Sequence, residues 1–349
     1  MQIDRWRKVW ASKKEFRPNR SHDMALSLVI PFRDEAKNLN RLISSLKEQS
    51  YNNWELILVN DHSTDDGVKI VKDCINQFRV PVTMLNSSDY GKKKALLYGV
   101  HQANNEWIIT SDADCTFHPE WLQTMASYQK STHADLIIGP VRIEEKRGAL
   151  SWFQRIDFTA LQLSGAAAAL NGKPIMCNGA NLLFNKSLYL QTTLNPHIAS
   201  GDDMFLLEWM KQNGKYVRFI KAKKAVIQTA PVGCIKDFLM QRARWAAKAP
   251  AYRDKEILIS GLLVSGLSFM LLSTLIIGIW QIQLLYVFGI SIGVKSFVDY
   301  ALLRLGKTFF NYKLSFASVV LLQVLYPIYV LSVLMFPLFF KIKWKARNI

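Results

Sequence analysis

An α/β domain, a mostly parallel sheet flanked by helices and followed by C-terminal membrane helices, is the fold class the sequence predicts. Three observations predict it. Short apolar runs alternate with segments of helical period up to about residue 111. Acidic residues cluster directly after those runs, at Asp34 and Glu35, Asp61 and Asp65, and Asp112 and Asp114. Beyond about residue 256 the chain is mostly hydrocarbon: Ile257–Trp280 and Leu314–Phe340 carry no charge, and Leu284–Leu303 carries only Lys295 and Asp299.

Each element follows from its pattern. Leu26–Phe32, closing on Pro31 and Phe32, is a short apolar run and predicts a buried strand. Leu39, Leu42, Ile43 and Leu46 recur at helical spacing. Then come a strand at Trp54–Asn60, a helix at Val68–Phe78, a short strand near Val82–Leu85 and a helix from about Lys92 to Ala103. The strand Trp107–Ser111 delivers the paired aspartates. Strands alternating with helices of this length form parallel βαβ units with right-handed crossovers. Within Arg142–Asn171 only an alanine-rich helix around Leu161–Leu170 stands out. There is no internal repeat.

The formal charge of +17 invites a nucleic-acid partner, but its distribution excludes one. Arg242, Arg244, Lys248, Arg253 and Lys255 precede the first apolar segment. Arg304, Lys307 and Lys313 separate the second from the third, and Lys341, Lys343, Lys345 and Arg347 follow the last. Such flanks suit cytoplasmic contact with anionic lipid, and no basic motif interleaved with aromatics is present. Three crossings would put the basic tail opposite the globular domain, so a re-entrant or interfacial third segment, interrupted by Pro327, is the alternative. No apolar core follows the basic start, so no signal peptide is expected. Ile3, Trp6, Val9 and Trp10 share one helical face among basic residues, the pattern of a short helix on a membrane surface or of a disordered basic arm. Cys74, Cys115, Cys177 and Cys234 match no zinc or redox spacing and are expected to be reduced thiols.

The Asp-Ala-Asp at 112–114 carries the chemistry. In open α/β sheets ligands bind outside the carboxyl ends of the strands. Two hard oxygen donors one residue apart suit a divalent cation such as Mg²⁺ or Mn²⁺, with phosphate oxygens completing its shell. The bland alternative is a solvated pair preceding a helix that starts near Pro119 and Glu120. Neither a G-x-G-x-x-G turn nor a Walker A lysine loop occurs, so a nucleotide would be held by strand-end carboxylates and a metal.

Further segments accompany this pair, in order. They are Val-Ile-Pro-Phe-Arg-Asp-Glu at 29–35, Val-Asn-Asp-His-Ser-Thr-Asp at 59–65, Gly-Lys-Lys-Lys-Ala-Leu at 91–96, Gly-Asp-Asp at 201–203 and Gln-Arg-Ala-Arg-Trp at 241–245. Together they resemble the inverting family-2 glycosyltransferases, whose fold is GT-A. The likeness runs from about Leu26 to Trp245, and Q-x-x-R-W is the signature of the membrane-bound branch. That branch includes cellulose-, hyaluronan- and poly-N-acetylglucosamine-synthase-like enzymes and ceramide glucosyltransferases. Composition and resemblance together divide the chain into a basic amphipathic segment at 1–24, a GT-A domain at 25–232, an interfacial helix at 233–256, about three membrane segments at 257–340 and a basic tail at 341–349.

The resemblance also implies roles. Pro31, Arg33, Glu35, Asp61, Lys92, Asp112 and Asp114 would form the donor site, with Asp61 at the nucleoside base and Lys92 near the phosphates. Asp114 and Asp112 would hold Mg²⁺ or Mn²⁺. Asp203 would be the catalytic base, with Asp202 orienting it or capping the helix. Gln241, Arg244 and Trp245 would share one helical face, the guanidinium toward the diphosphate and the indole under an acceptor sugar; interfacial anchoring is the plain alternative. Gly179 and Asn181 would lie on the acceptor side, or in an ordinary turn. Leu97 stands where the family often has Asn. The pair Lys295 and Asp299 is either functional or a snorkelling lysine with its partner.

The expected activity is metal-assisted transfer from a UDP-sugar, with inversion, to a lipid or a growing polysaccharide. The expected location is the cell membrane, multi-pass, with the catalytic domain cytoplasmic. The Q-x-x-R-W signature favours a processive synthase, whereas three short segments offer little wall for a channel, which favours single transfer to a lipid unless a homo-oligomer or a membrane partner contributes. A non-catalytic scaffold that keeps the fold is the alternative from another class.

Overall fold

A computed structural model of the chain describes residues 2–18, 23–192, 201–341, 343–344 and 347–348. In order, the first elements are α1 (Gln2–Ser12), β1 (Leu26–Phe32), α2 (Ala36–Lys47), β2 (Trp54–Asn60), α3 (Gly67–Cys74), β3 (Val82–Asn86), α4 (Lys92–Gln102) and β4 (Trp107–Thr110). They are followed by β5 (Cys115–Thr116), α5 (Trp121–Thr132), β6 (Leu136–Ile138), β7 (Val141–Ile143), α6 (Ala149–Leu170), β8 (Leu182–Asn185) and α7 (Lys186–Gln191). The remainder comprises α8 (Asp202–Gln212), β9 (Val217–Phe219), β10 (Ile227–Thr229), α9 (Ile235–Ala246), α10 (Lys255–Ile277), α11 (Ile282–Phe310) and α12 (Phe316–Phe339).

The chain divides into two compact units. A sheet unit comprises Lys13–Glu144 and Met176–Ala230. Its seven-stranded sheet runs β3-β2-β1-β4-β8-β6-β9. β1 pairs in parallel with β2 and β4, β2 with β3, and β6 with β9, while β8 runs antiparallel to β4 and β6. β1 and β2 are buried at every position, as expected of central strands covered on both faces. Leu39, Leu42, Ile43 and Leu46 of α2 are all buried, so their spacing marks the core face. A second sheet, β5-β10-β7, carries the segment after β4.

This topology positions the site. From β1 the chain steps outward to β2 and β3, then returns to place β4 on the other side of β1. That reversal is a switch point, where the connections leaving β1 and β4 part and open a crevice. Arg33, Asp34 and Glu35 follow β1, and Asp112 and Asp114 follow β4.

The helical unit comprises Met1–Ser12, Glu145–Ile175 and Pro231–Ile349. It therefore includes α6, which lies inside the span 25–232 expected to be one domain. α10, α11 and α12 have 23, 29 and 24 residues and are long and apolar enough to cross a membrane. Their outward faces are hydrocarbon; Leu262, Phe269, Phe297 and Leu338 are all exposed. α12 runs unbroken through Pro327 and Pro337, so the third segment is one continuous helix and not a re-entrant turn. Helix α1 does form. Its Trp10 is 2% exposed and packs against Phe309 edge-on at 5.1 Å and parallel to Phe310 at 6.3 Å. Of the basic tail, Lys345 lies outside the described residues.

Candidate active site

All the predicted donor-side residues, and both aspartates at 202 and 203, lie in the sheet unit. Asp61 follows β2 and is 1% exposed; its Oδ1 accepts the Gly91 amide at 2.9 Å. Gly91 has φ +113°, a conformation that favours glycine, and so turns the chain into α4 beside Asp61. The next residue, Lys92, sends its ammonium to Asp112 Oδ1 at 2.5 Å. A short chain of contacts thus links the end of β2 to the end of β4 through the start of α4.

Asp114 is held from the opposite side. Its Oδ2 accepts the Thr229 hydroxyl at 2.9 Å, from the end of β10. Partial burial raises its pKa, the nearby charges of Asp112 and Glu35 raise it further, and the bond from Thr229 and the charge of Lys92 oppose them; the result is about 6. Burial works against the charge on Lys92, but Asp112, Asp202 and Asp203 outweigh it and hold its pKa above the ordinary lysine value. Burial first, then the fields of Asp114 and Asp112, push the Cys115 thiol well up, against the reactive thiolate form.

Asp203 is the second residue of α8, and both its oxygens are oriented. Oδ2 accepts the Gly179 amide at 3.0 Å, and Oδ1 accepts the Met204 amide at 2.8 Å. The Gly179 carbonyl accepts the Thr110 hydroxyl at 2.8 Å, which ties this loop to the last residue of β4. Asp202 is buried, and its charge and that of Asp203 are felt by both Lys92 and Tyr189. Lys92 thus bonds to Asp112 and also lies within the electrostatic reach of Asp203.

The remaining predicted residues fall into place differently. Pro31 is buried within β1, while Arg33 and Glu35 are half-buried; Arg33 pairs with Asp34, and Glu35 accepts from the Asn38 carboxamide. Asn181 is fully buried, so it does not face an acceptor. Its amide donates to Pro140 O and Ala225 O, and its oxygen accepts from Trp121 Nε1, leaving nothing for a ligand. Gln241, Arg244 and Trp245 lie on α9 in the helical unit and are half-buried there. In that stretch the arginine fixed in the core is Arg242, 4% exposed, with Nη2 2.8 Å from Asp157 Oδ2. Trp245 lies against its guanidinium at 4.4 Å.

Two features escaped the sequence. Thr229 is 115 residues from Asp114 and carries no motif. His62 and Tyr90 stack at 3.9 Å beside Asp61 and Gly91, giving an aromatic face 64% exposed at Tyr90. An aromatic directly before Gly91 was the available signal.

Among the described residues no group of three or more His, Cys, Asp or Glu is arranged to hold a metal. The pair Asp112 and Asp114 nevertheless fits a hard divalent cation. Two crowded carboxylates, one pushed up to about 6 by its surroundings, gain from a positive charge, and ligands beyond the pair would come from phosphate oxygens and water.

The profile described as Glycosyl transferase family 2 matches residues 27–193. Glycosyltransferase AglE of Haloferax volcanii is 23% identical over 190 residues, 54% of this chain and 60% of its own length. Hyaluronan synthase of Streptococcus pyogenes is 22% identical over 240 residues, 64% of this chain and 57% of its own. The chain thus spans less than two thirds of the length of these curated relatives. The solved structure of mannosyltransferase PcManGT from Pyrobaculum calidifontis, in complex with GDP-Man and Mn²⁺, covers 97% of this chain and 94% of its own. Its TM-score of 0.64 at 17% identity is a likeness of fold. Residues 27–193 therefore belong to glycosyltransferase family 2, carried on a GT-A fold.

Proposed function

We propose that this protein is a membrane-anchored inverting glycosyltransferase that moves a sugar from a UDP-sugar to a lipid acceptor. The observation that carries the reading is the convergence on the end of β4 of the Lys92–Asp112 contact and of Asp203, which accepts the Gly179 amide while the Gly179 carbonyl accepts the Thr110 hydroxyl. Asp61 would bind the nucleoside base, with Tyr90 offering a ring face beside it. Lys92 places a point charge where the diphosphate oxygens would lie. Asp114 and Asp112 would hold Mg²⁺ or Mn²⁺, which when bound would supply neutralisation of the charge developing on the departing diphosphate. Asp203 accepts the proton of the acceptor hydroxyl as it attacks. Backbone amides already fix both its oxygens, so little reorganisation is required. Asp202, buried and next to Asp203 in sequence, would add to the local negative field.

A lipid acceptor is favoured because three apolar helices offer little wall for a channel. Asp299 Oδ2 accepts from Lys295 Nζ at 2.5 Å and from Gln323 Nε2 at 2.7 Å, which joins α11 to α12. Lys295 and Asp299 are thus engaged between α11 and α12, which supports an anchoring role for these helices. A growing polysaccharide is the second reading, motivated by Trp245 in the Q-x-x-R-W stretch and by the match to a hyaluronan synthase. In either case α10, α11 and α12 anchor the chain in the cell membrane with the sheet unit cytoplasmic. Radiolabelled UDP-sugars supplied to membranes, with the label sorted into lipid extract or polymer, test this directly. Label in polymer alone contradicts the lipid reading, and no label in either contradicts the activity.

A further inference from the structure

A cavity of about 390 Å³ lies within the helical unit, between α1, the last turn of α6 and the first turns of α10. Its polar side carries an unmatched positive charge. Asp4, the single acid of α1, is taken by Arg7 at 2.7 Å and Lys8 at 2.9 Å. Among the described residues Arg5 is left with no ion-pair or hydrogen-bond partner for its guanidinium. Lys173 on the rim is balanced by Glu256 at 2.7 Å. The carboxamides of Gln2 and Asn171 also face the cavity without side-chain partners among the described residues.

The other wall is apolar, formed by Trp6 and by Ile259, which is 54% exposed. Ile259 stands in the first turns of α10, where the charged flank Lys255 and Glu256 gives way to the uncharged run. If α10 crosses a bilayer, that level is the headgroup region. α1 cannot swing freely, because Trp10 is buried against Phe309 and Phe310. The helix that carries Arg5 is therefore held against α11.

We propose that this cavity seats the headgroup of an anionic phospholipid, its phosphate on Arg5, Gln2 and Asn171 and its acyl chains leaving past Trp6 and Ile259. A planar guanidinium grips phosphate oxygens in fork geometry. The volume suits a glycerophosphate head, with the hydrocarbon outside the cavity. The inference rests on α10–α12 spanning a membrane, but not on sugar transfer.

The full chain, purified in detergent, is titrated with phosphatidylglycerol or phosphatidylcholine and bound lipid is counted by native mass spectrometry. Phosphatidylglycerol should be retained in preference. Arg5→Gln should weaken it about tenfold, the scale of one lost charged contact. Arg5→Lys should recover part of the affinity, and Arg7→Gln should leave it unchanged, with all three variants melting like the parent. Equal retention by parent and Arg5→Gln, equal weakening by Arg7→Gln, or displacement by inorganic phosphate would overturn the proposal. Carbonate extraction of membranes tests the spanning helices separately, and transfer assayed in phosphatidylcholine alone tests the enzyme separately.

Discussion

Lys92 Nζ lies 2.5 Å from Asp112 Oδ1, so the first helical residue after Gly91 is tied to the first carboxylate after β4. Both groups are about one third exposed, at 32% and 33%, which leaves them open to a ligand. The contact links the start of α4, where the Gly91 amide bonds to Asp61, to the end of β4.

Lys92→Met should weaken UDP binding by about 10- to 100-fold, the loss of one charge-assisted contact of about 1.5–3 kcal/mol. Lys92→Arg should recover part of it. Calorimetric titration with UDP and Mn²⁺ reads both. Unchanged affinity in Lys92→Met would remove the lysine from the donor site.

The cation site should be pH-dependent. Asp114 has its pKa raised to about 6, so above that pH its carboxylate is free for a metal and below it a proton competes. Apparent Mn²⁺ affinity should fall about tenfold for each pH unit below that value and level off above it. The same shift bears on stability without metal. A carboxylate whose folded pKa lies above its unfolded value favours the folded state at low pH, and that contribution is lost as pH rises through about 6. Asp114→Asn should therefore raise the melting temperature of metal-free protein at pH above 6 and abolish the pH trend in Mn²⁺ binding, read by calorimetry and thermal melts.

Arg242 and Asp157 form an ion pair 4% and 1% exposed on their side chains. Burial raises the Asp157 pKa and Arg242 counters it, the signature of a desolvated pair. Removing one partner strands the other, which costs about 3–5 kcal/mol. Asp157→Asn should thus lower the melting temperature sharply, and the double change Asp157→Leu with Arg242→Met should recover much of it. A mild Asp157→Asn effect would show that the pair is not held in a dry site.

Gly139 has no room for a side chain. A Cβ there would sit 2.2 Å from Asn181 Cγ, and that carboxamide is pinned by its own bonds. Gly139→Ala should destabilise the sheet unit by about 1–3 kcal/mol, the usual range for overpacking. Thermal unfolding checks it, and a neutral result would show that Asn181 can move.

Legibility followed the physics of each segment. Long apolar runs covered on both faces gave β1 and β2 their observed limits, because burial on two faces leaves a continuous signal. β6, β7 and β9 have three residues each, too few to show a period, and the antiparallel placement of β8 depends on partners distant in sequence. Asp112 and Asp114 were legible because they follow a strand directly, whereas Thr229 meets Asp114 only through folding. Position on a helix placed Gln241, Arg244 and Trp245 together but could not say which arginine the neighbouring helices would enclose. Asn181 stands two residues after Gly179 and suggested a ligand loop; its full burial became visible only with Trp121, Pro140 and Ala225 in place.

Transfer of labelled sugar to the membrane lipid extract, measured beside UDP binding for the parent and Asp203→Asn, tests the central claim most directly. Loss of a general base should reduce turnover by about 10²- to 10⁴-fold, with UDP affinity unchanged because Asp203 is assigned to the acceptor hydroxyl. Turnover equal to the parent in a folded Asp203→Asn variant would contradict the assignment and with it the site built around Lys92.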